Sequence, residues 1–123
     1  MPYDEALAER VRVVLAGVEG VSEQKMFGGI CFMVNGNMIC GVTRDELMVR
    51  SGKEAYAELV AMDHARPMEM GRGRVMTSMV VVDAPGIATA RDLKTWVGRG
   101  LKVAAALPSK YAAPSALRKK KKK

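Results

Sequence analysis

Two apolar runs joined by Asn35-Gly36 constrain the fold of this chain more than any other feature. The runs cover 30–34 and 38–42, and Asn-Gly favours the type I′ turn, which needs positive φ at both central residues. With a two-residue loop, the register predicts that Cys31 lies opposite Cys40. The two thiols would then be neighbours, either as buried reduced side chains or as a redox pair.

The hairpin is preceded by the segment Lys25-Met26-Phe27-Gly28-Gly29. Two glycines directly before a strand indicate a backbone path or a close approach that a Cβ atom would block. We therefore interpret this segment, together with Asn35 and Gly36, as a structural motif that needs no catalytic explanation.

The alternation of side chains along the hairpin predicts two apolar faces. Phe32 and Ile39 are expected on one face, and a second set of soft side chains is expected on the other, namely Cys31, Met33, Met38 and Cys40. Because methionine adapts to irregular partners, this second face is a candidate docking surface or dimer interface. The alternative is that loops and the last helix cover it.

The remaining elements follow from periodicity and from turn residues. We expect helices over 3–18, 53–62 and 89–107, a short strand over 46–50, an edge strand over 67–70 and a long strand over 75–82. Gly98 and Gly100 within the last helix indicate either close packing against another element or a weak final turn. The order is α-β-β-β-α-β-β-α, which is typical of a two-layer α+β fold with an antiparallel sheet of about five strands.

The positive charge of the chain is concentrated at its end. The formal net charge is +7, and six of the 20 basic residues are consecutive: Arg118, Lys119, Lys120, Lys121, Lys122 and Lys123. Removing those six leaves 14 basic residues against 13 acidic ones, so residues 1–117 are nearly neutral. We expect a folded domain over 1–110 and a flexible basic tail over 111–123, which either binds nucleic acid without sequence specificity or only keeps the protein in solution.

The sequence contains no pattern typical of an enzyme, a metal site or a cofactor site. The two cysteines lack the C-x-x-C spacing of zinc sites, and the only histidine, His64, has only its chain neighbour Asp63 as a possible orienting acid. Gly71-Arg72-Gly73-Arg74 is more simply a turn than a nucleic-acid element. Acidic residues near the start argue against a signal peptide, and no apolar run approaches the ~20 residues that span a bilayer. We expect a cytoplasmic protein with no catalytic residues, no cofactor and no membrane association.

Seven short motifs occur together along the chain. They are Lys25-Met26-Phe27-Gly28-Gly29, Asn35-Gly36, Arg66-Pro67-Met68, Val81-Val82-Asp83, Asp92-Leu93, Trp96-Val97 and Leu107-Pro108-Ser109-Lys110. In this combination the chain resembles the TfoX N-terminal domain family, named after regulators of bacterial competence. The resemblance implies helices packed against an antiparallel sheet, and it brings no catalytic residues.

The resemblance also implies a regulatory role. Full-length competence regulators promote transcription of DNA-uptake genes alongside the cyclic-AMP receptor protein. This chain departs from them at Thr77-Ser78-Met79, where relatives often have Lys-Gly-Trp, and it ends where they continue into a second domain. We expect a stand-alone regulatory domain that acts through contacts with a protein partner or with its own copy. The alternative is a nucleic-acid-associated protein that uses its basic tail.

Overall fold

Six antiparallel strands form one open sheet, and three helices lie against it. The structure, a computed structural model, describes residues 3–26, 28–69 and 73–108. The elements in chain order are α1 (Glu5–Leu15), β1 (Val21–Met26), β2 (Gly29–Val34), β3 (Asn37–Thr43), β4 (Glu46–Arg50), α2 (Gly52–Val60), β5 (Ala65–Glu69), β6 (Val75–Val82), a 3-10 turn (Ala84–Ile87) and α3 (Ala90–Ala105). The strands lie in the order β1-β2-β3-β4-β6-β5. The predicted fold class is confirmed.

The sheet has one strand more than the sequence predicted, and that strand is β1. It pairs with β2 over its whole length but exposes Glu23, Gln24 and Lys25. Apolar side chains occur only at its two ends, so no alternating pattern is visible in the sequence. Main-chain hydrogen bonds to β2 hold this edge strand in place, and of its apolar side chains only Val21 and Met26 pack against buried neighbours.

Side-chain caps fix the starts of two helices. The Asp4 carboxylate accepts hydrogen bonds from the backbone N–H groups of Ala6 and Leu7, at 2.9 and 3.1 Å. The Thr89 hydroxyl oxygen accepts one from the N–H of Asp92 at 3.0 Å, which confirms the predicted start of α3. Such caps satisfy backbone donors that have no partner inside the helix.

All three helices contribute to one apolar core on a single face of the sheet, which we call the helix-covered face. Its buried side chains are mostly branched aliphatic or aromatic and include Leu7, Val11, Leu15, Phe32, Ile39, Val42, Leu47, Val49, Leu59, Val80, Val82, Leu93, Trp96 and Val97. None of the helices in the described part of the chain is long and apolar enough to cross a membrane.

The two glycines of α3 behave differently. A Cβ atom on Gly100 would lie 2.3 Å from the carbonyl oxygen of Ile39, so this glycine lets α3 approach β3 closely. A Cβ atom on Gly98 would meet nothing within 4 Å. The prediction of close packing is therefore confirmed at Gly100 and wrong at Gly98, which lies on the exposed side of the helix.

Candidate functional site

The hairpin between β2 and β3 has the predicted turn but not the predicted register. Asn35 and Gly36 have φ values of 52° and 84°, and Met33 pairs with Met38 as a two-residue loop requires. The register then shifts, because the next pair joins Phe32 to Cys40 and leaves Ile39 as an extra residue. The bulge places Cys31 opposite Gly41, so the predicted pairing of Cys31 with Cys40 is wrong.

The bulge also separates the two thiols onto opposite faces of the sheet. Ile39 and Cys40 both pack in the core of the helix-covered face, whereas Cys31 packs in a second cluster on the other face. Cys40 therefore does not belong to the predicted interaction face. The hypothesis of a redox pair is wrong, because it required Cys31 to lie opposite Cys40. Both thiols are free, and burial raises the pKa of Cys31 and of Cys40. Each is therefore a protonated, weakly nucleophilic group at neutral pH.

The second cluster defines the sheet face on which no helix packs in the described part of the chain. We call it the methionine face, and its members are Met26, Cys31, Met38, Met48, Met68, Met76, Met79 and Val81. Cys31, Met48 and Met79 are buried, whereas Met38, Met68 and Met76 are only half-buried. Met33 alternates in β2 onto the same side and is buried outside this cluster. Of the predicted interaction residues, the structure thus places Cys31 and Met38 in the cluster.

A groove of about 900 Å³ runs along the methionine face. Five methionine side chains line it, namely Met38, Met48, Met68, Met76 and Met79. Gly41 helps to shape its floor, because a Cβ atom there would lie 2.7 Å from the Cε methyl of Met48 and 3.2 Å from that of Met38. The space that a side chain at position 41 would fill is therefore occupied by two thioether methyl groups.

Three arginines and Glu69 also line the groove, and the arginines differ in their partners. Arg66 forms ion pairs with Glu46 at 2.5 Å and with Asp83 at 3.3 Å. The Nε atom of Arg50 donates to the carbonyl oxygen of Met38 at 2.6 Å. In the described residues all four ion pairs involve Arg12 or Arg66, so neither Arg44 nor Arg50 has a carboxylate partner there.

The glycine motif before the hairpin forms the tight connection from β1 to β2. Lys25 and Met26 end β1, Gly28 has a φ of 74°, and Gly29 begins β2. A Cβ atom on Gly29 would lie 2.1 Å from the carbonyl oxygen of Val42, so the neighbouring strand β3 requires a glycine there. The close approach that a Cβ atom would block is thus found at Gly29, while Phe27 of the same motif lies outside the described residues.

The other candidate residues from the sequence either belong to no cluster of functional side chains or lie outside the described residues. His64 is exposed on the loop before β5. Among the described residues, no three His, Cys, Asp or Glu side chains come together in a way that could hold a metal ion. Gly71 and Arg72 of the predicted turn and the basic residues 118–123 lie outside the described ranges.

The sequence did not predict that these methionines and arginines line one groove. The signal was present in β4, where alternation separates Met48 and Arg50 from Leu47 and Val49. It was also present in β6, where Met79 and Val81 alternate with Val80 and Val82. Joining these strands needed the sheet order, since β4 pairs with β6 although α2 and β5 separate them in the chain.

The family profile of the TfoX N-terminal domain matches residues 14–104. Searches of the curated proteins and of the solved structures gave no significant match. The matched segment runs from the last turn of α1 to the end of α3, and it includes all six strands and the whole methionine face. Because the match covers most of the 123 residues, this chain belongs to the TfoX N-terminal domain family.

Proposed function

We propose that this chain is a cytoplasmic regulatory domain that acts by binding another protein through its methionine face, and not by catalysis. Membership of the TfoX N-terminal domain family supports a competence-related regulatory role. Transcriptional regulation in a bacterial host is the form of that role which the family implies.

The observation that carries the proposal is an apolar sheet face with no helix on it in the described residues. Half-buried Met38, Met68 and Met76 give a partner access to a floor formed by buried Met48 and Met79. Unbranched thioether side chains repack readily, which suits a surface that must fit a partner. Contiguous apolar grooves of this kind typically mark sites of protein contact.

The proposal is tested with the double variant Met38→Asp, Met68→Asp, used as bait in a pull-down from host lysate. We expect wild type to recover a discrete protein and the double variant to lose it, because two carboxylates in the groove would have to be desolvated on binding. Val13→Asp is the matched control, since Val13 is 67% exposed on α1, away from the groove.

Circular dichroism must show that the double variant keeps its fold. If it unfolds, the groove is part of the core and the proposal is wrong. Equal recovery by wild type and the double variant, or recovery of no partner by wild type, also contradicts it.

The second candidate function is nucleic-acid association through the basic tail. It is supported by the charge distribution, since the described residues carry 12 basic and 13 acidic side chains while residues 118–123 are all basic. A fragment of residues 1–117 in the same pull-down separates the two functions. The nucleic-acid function is favoured if the fragment no longer recovers bulk nucleic acid and if the groove substitutions do not change what is recovered.

A further inference from the structure

We infer that the partner seated on the methionine face is an amphipathic α-helix of another protein, with a carboxylate placed to pair with Arg50. This inference rests on the proposed function and adds the shape and the charge of the partner to it. Two observations carry it: the position of the groove in the sheet, and the unequal pairing of its arginines.

The position of the groove favours a helix over an added strand. The groove lies on the face of the sheet, over β4 and β6, and reaches the edge only at β5. Strand addition needs a free row of main-chain donors and acceptors, and Pro67 in β5 has no N–H group to offer. A helix needs no main-chain bonds to the sheet and buries one apolar stripe in such a groove. On the helix-covered face of the same sheet, α3 packs in this way.

The arginines indicate the charge of that helix. Arg66 is already compensated by Glu46 and Asp83, whereas Arg44 and Arg50 have no carboxylate partner in the described residues. Of these two, Arg44 is exposed, and only Arg50 is half-buried. Its Nε atom is engaged by the carbonyl oxygen of Met38, which leaves its terminal nitrogens as donors. An apolar helix laid over this half-buried cation would desolvate it without compensation. A helix that brings a carboxylate supplies the forked partner that guanidinium groups favour.

Glu69 gives the groove a direction. It lines the groove on the edge strand β5, whereas Arg50 lies at the end of β4 in the interior of the sheet. A partner carboxylate is therefore attracted at Arg50 and repelled at Glu69. We expect the acidic residue on the flank of the helix that faces Arg50 and not on the flank that faces β5.

The test is a selection from a displayed library of helical peptides of about 16 residues, roughly 24 Å long, with one apolar stripe and randomised flanks. Full-length wild type, Arg50→Glu and Arg74→Glu serve as separate baits. Arg74 is the matched control, because it is an exposed arginine that does not line the groove. We expect Asp and Glu to be enriched on one flank with wild type and Arg74→Glu, and Lys and Arg to replace them with Arg50→Glu.

The best peptide is then measured by NMR of the methionine methyl groups. It should shift the signals of Met38, Met48, Met68, Met76 and Met79, and its affinity should fall about tenfold for Arg50→Gln, the loss of one charge-assisted hydrogen bond. Thermal melts establish that each variant is folded.

Different results contradict the carboxylate of the partner, its helical shape and the proposed function. Peptides that bind the groove with the same flanking charges on all three baits overturn the assignment of the carboxylate and leave the proposed function standing. A Met48→Asp variant, which places a carboxylate in the floor of the groove, serves as a fourth bait. If no peptide binds wild type better than it binds this variant, the helical partner is overturned. If the methionine signals shift when the protein concentration is raised without peptide, the occupant is a second copy of the chain. That result also overturns the helical partner.

Discussion

The two faces of this sheet are built from different kinds of apolar side chain. The helix-covered face uses branched and aromatic residues such as Phe32, Ile39 and Val80, each fully buried. The methionine face uses seven side chains that carry sulfur and only one branched residue, Val81, and several of its members are half-buried. Adjacent residues of one strand therefore meet quite different surroundings.

The difference relates the shape of the side chains to the origin of the surface that covers them, which is the chain itself on one face and not on the other. On the helix-covered face the chain supplies its own partners, and stiff side chains with few rotamers specify one packing. On the methionine face no helix of the described chain is present, and flexible unbranched side chains accommodate more than one arrangement. The choice of residue in each strand thus separates a surface made for folding from one made for contact.

Val80→Asp and Val81→Asp test the difference between the two faces most strongly, because these neighbours in β6 point to opposite faces. Val80 is 0% exposed in the main core, and Val81 is 6% exposed in the groove. A carboxylate at 80 has no route to water, and we expect a loss of more than about 4 kcal/mol in the free energy of unfolding. At 81 it lies beside the groove and opposite Arg66, and we expect a loss of about 1–2 kcal/mol.

Urea denaturation followed by circular dichroism measures both values. The same substitution in adjacent positions of one strand cancels differences in β propensity, so each variant controls for the other. Similar losses at the two positions would mean that the groove is as well covered as the core, and the distinction between the faces would fail.

Much of the helix-covered face follows from the sequence because its signals are local. The Asn-Gly turn, the start of α3 at Thr89 and the bounds of β4 and β6 each depend on a few adjacent residues, and all agree with the structure. Local patterns of this kind predict where turns, helices and strands begin and end.

The methionine face was predicted poorly because it depends on non-local pairing. The bulge at Ile39 has no residue signature, since Ile39, Cys40 and Gly41 fit either face, yet it moves Cys40 into the core. Pairing of β4 with β6 then brings Met48 beside Val81. Neither event is visible from periodicity within one strand.

The two glycines of α3 test whether the inner side of this helix is in closer contact with the sheet than its outer side is with anything. In Gly100→Ala the new methyl group would overlap the Ile39 carbonyl oxygen at 2.3 Å, and that atom belongs to the backbone of β3. The helix must move away, with an expected loss of about 1–3 kcal/mol. In Gly98→Ala the methyl group meets open space, and we expect a gain of about 1 kcal/mol from helix propensity. Denaturant midpoints with an unchanged m-value establish the opposite signs, and a destabilised Gly98→Ala would show that the outer side of α3 is in contact after all.

The two thiols, one on each face of the sheet, should differ slightly in how readily they become exposed. Cys31 and Cys40 are both fully buried, which raises the pKa of each thiol and excludes reagent, so at pH 8 each reacts with iodoacetamide only when the structure opens. Cys40 lies under the helices and requires global unfolding, whereas Cys31 lies on the face without helices and requires only local opening. We expect Cys31 to react about tenfold faster, a difference of about 1.4 kcal/mol in opening free energy.

Peptide mapping by mass spectrometry gives the two rates separately, and labelling of the protein unfolded in urea corrects for intrinsic reactivity. The rate at Cys40 should rise with urea as steeply as global unfolding does, and the rate at Cys31 should rise less steeply because less surface is exposed in a local opening. Equal rates with equal urea dependence would mean that both faces open in one cooperative step. In that case the methionine face would be as firmly closed as the helix-covered face, and its readiness to receive a partner would have to come from the partner alone.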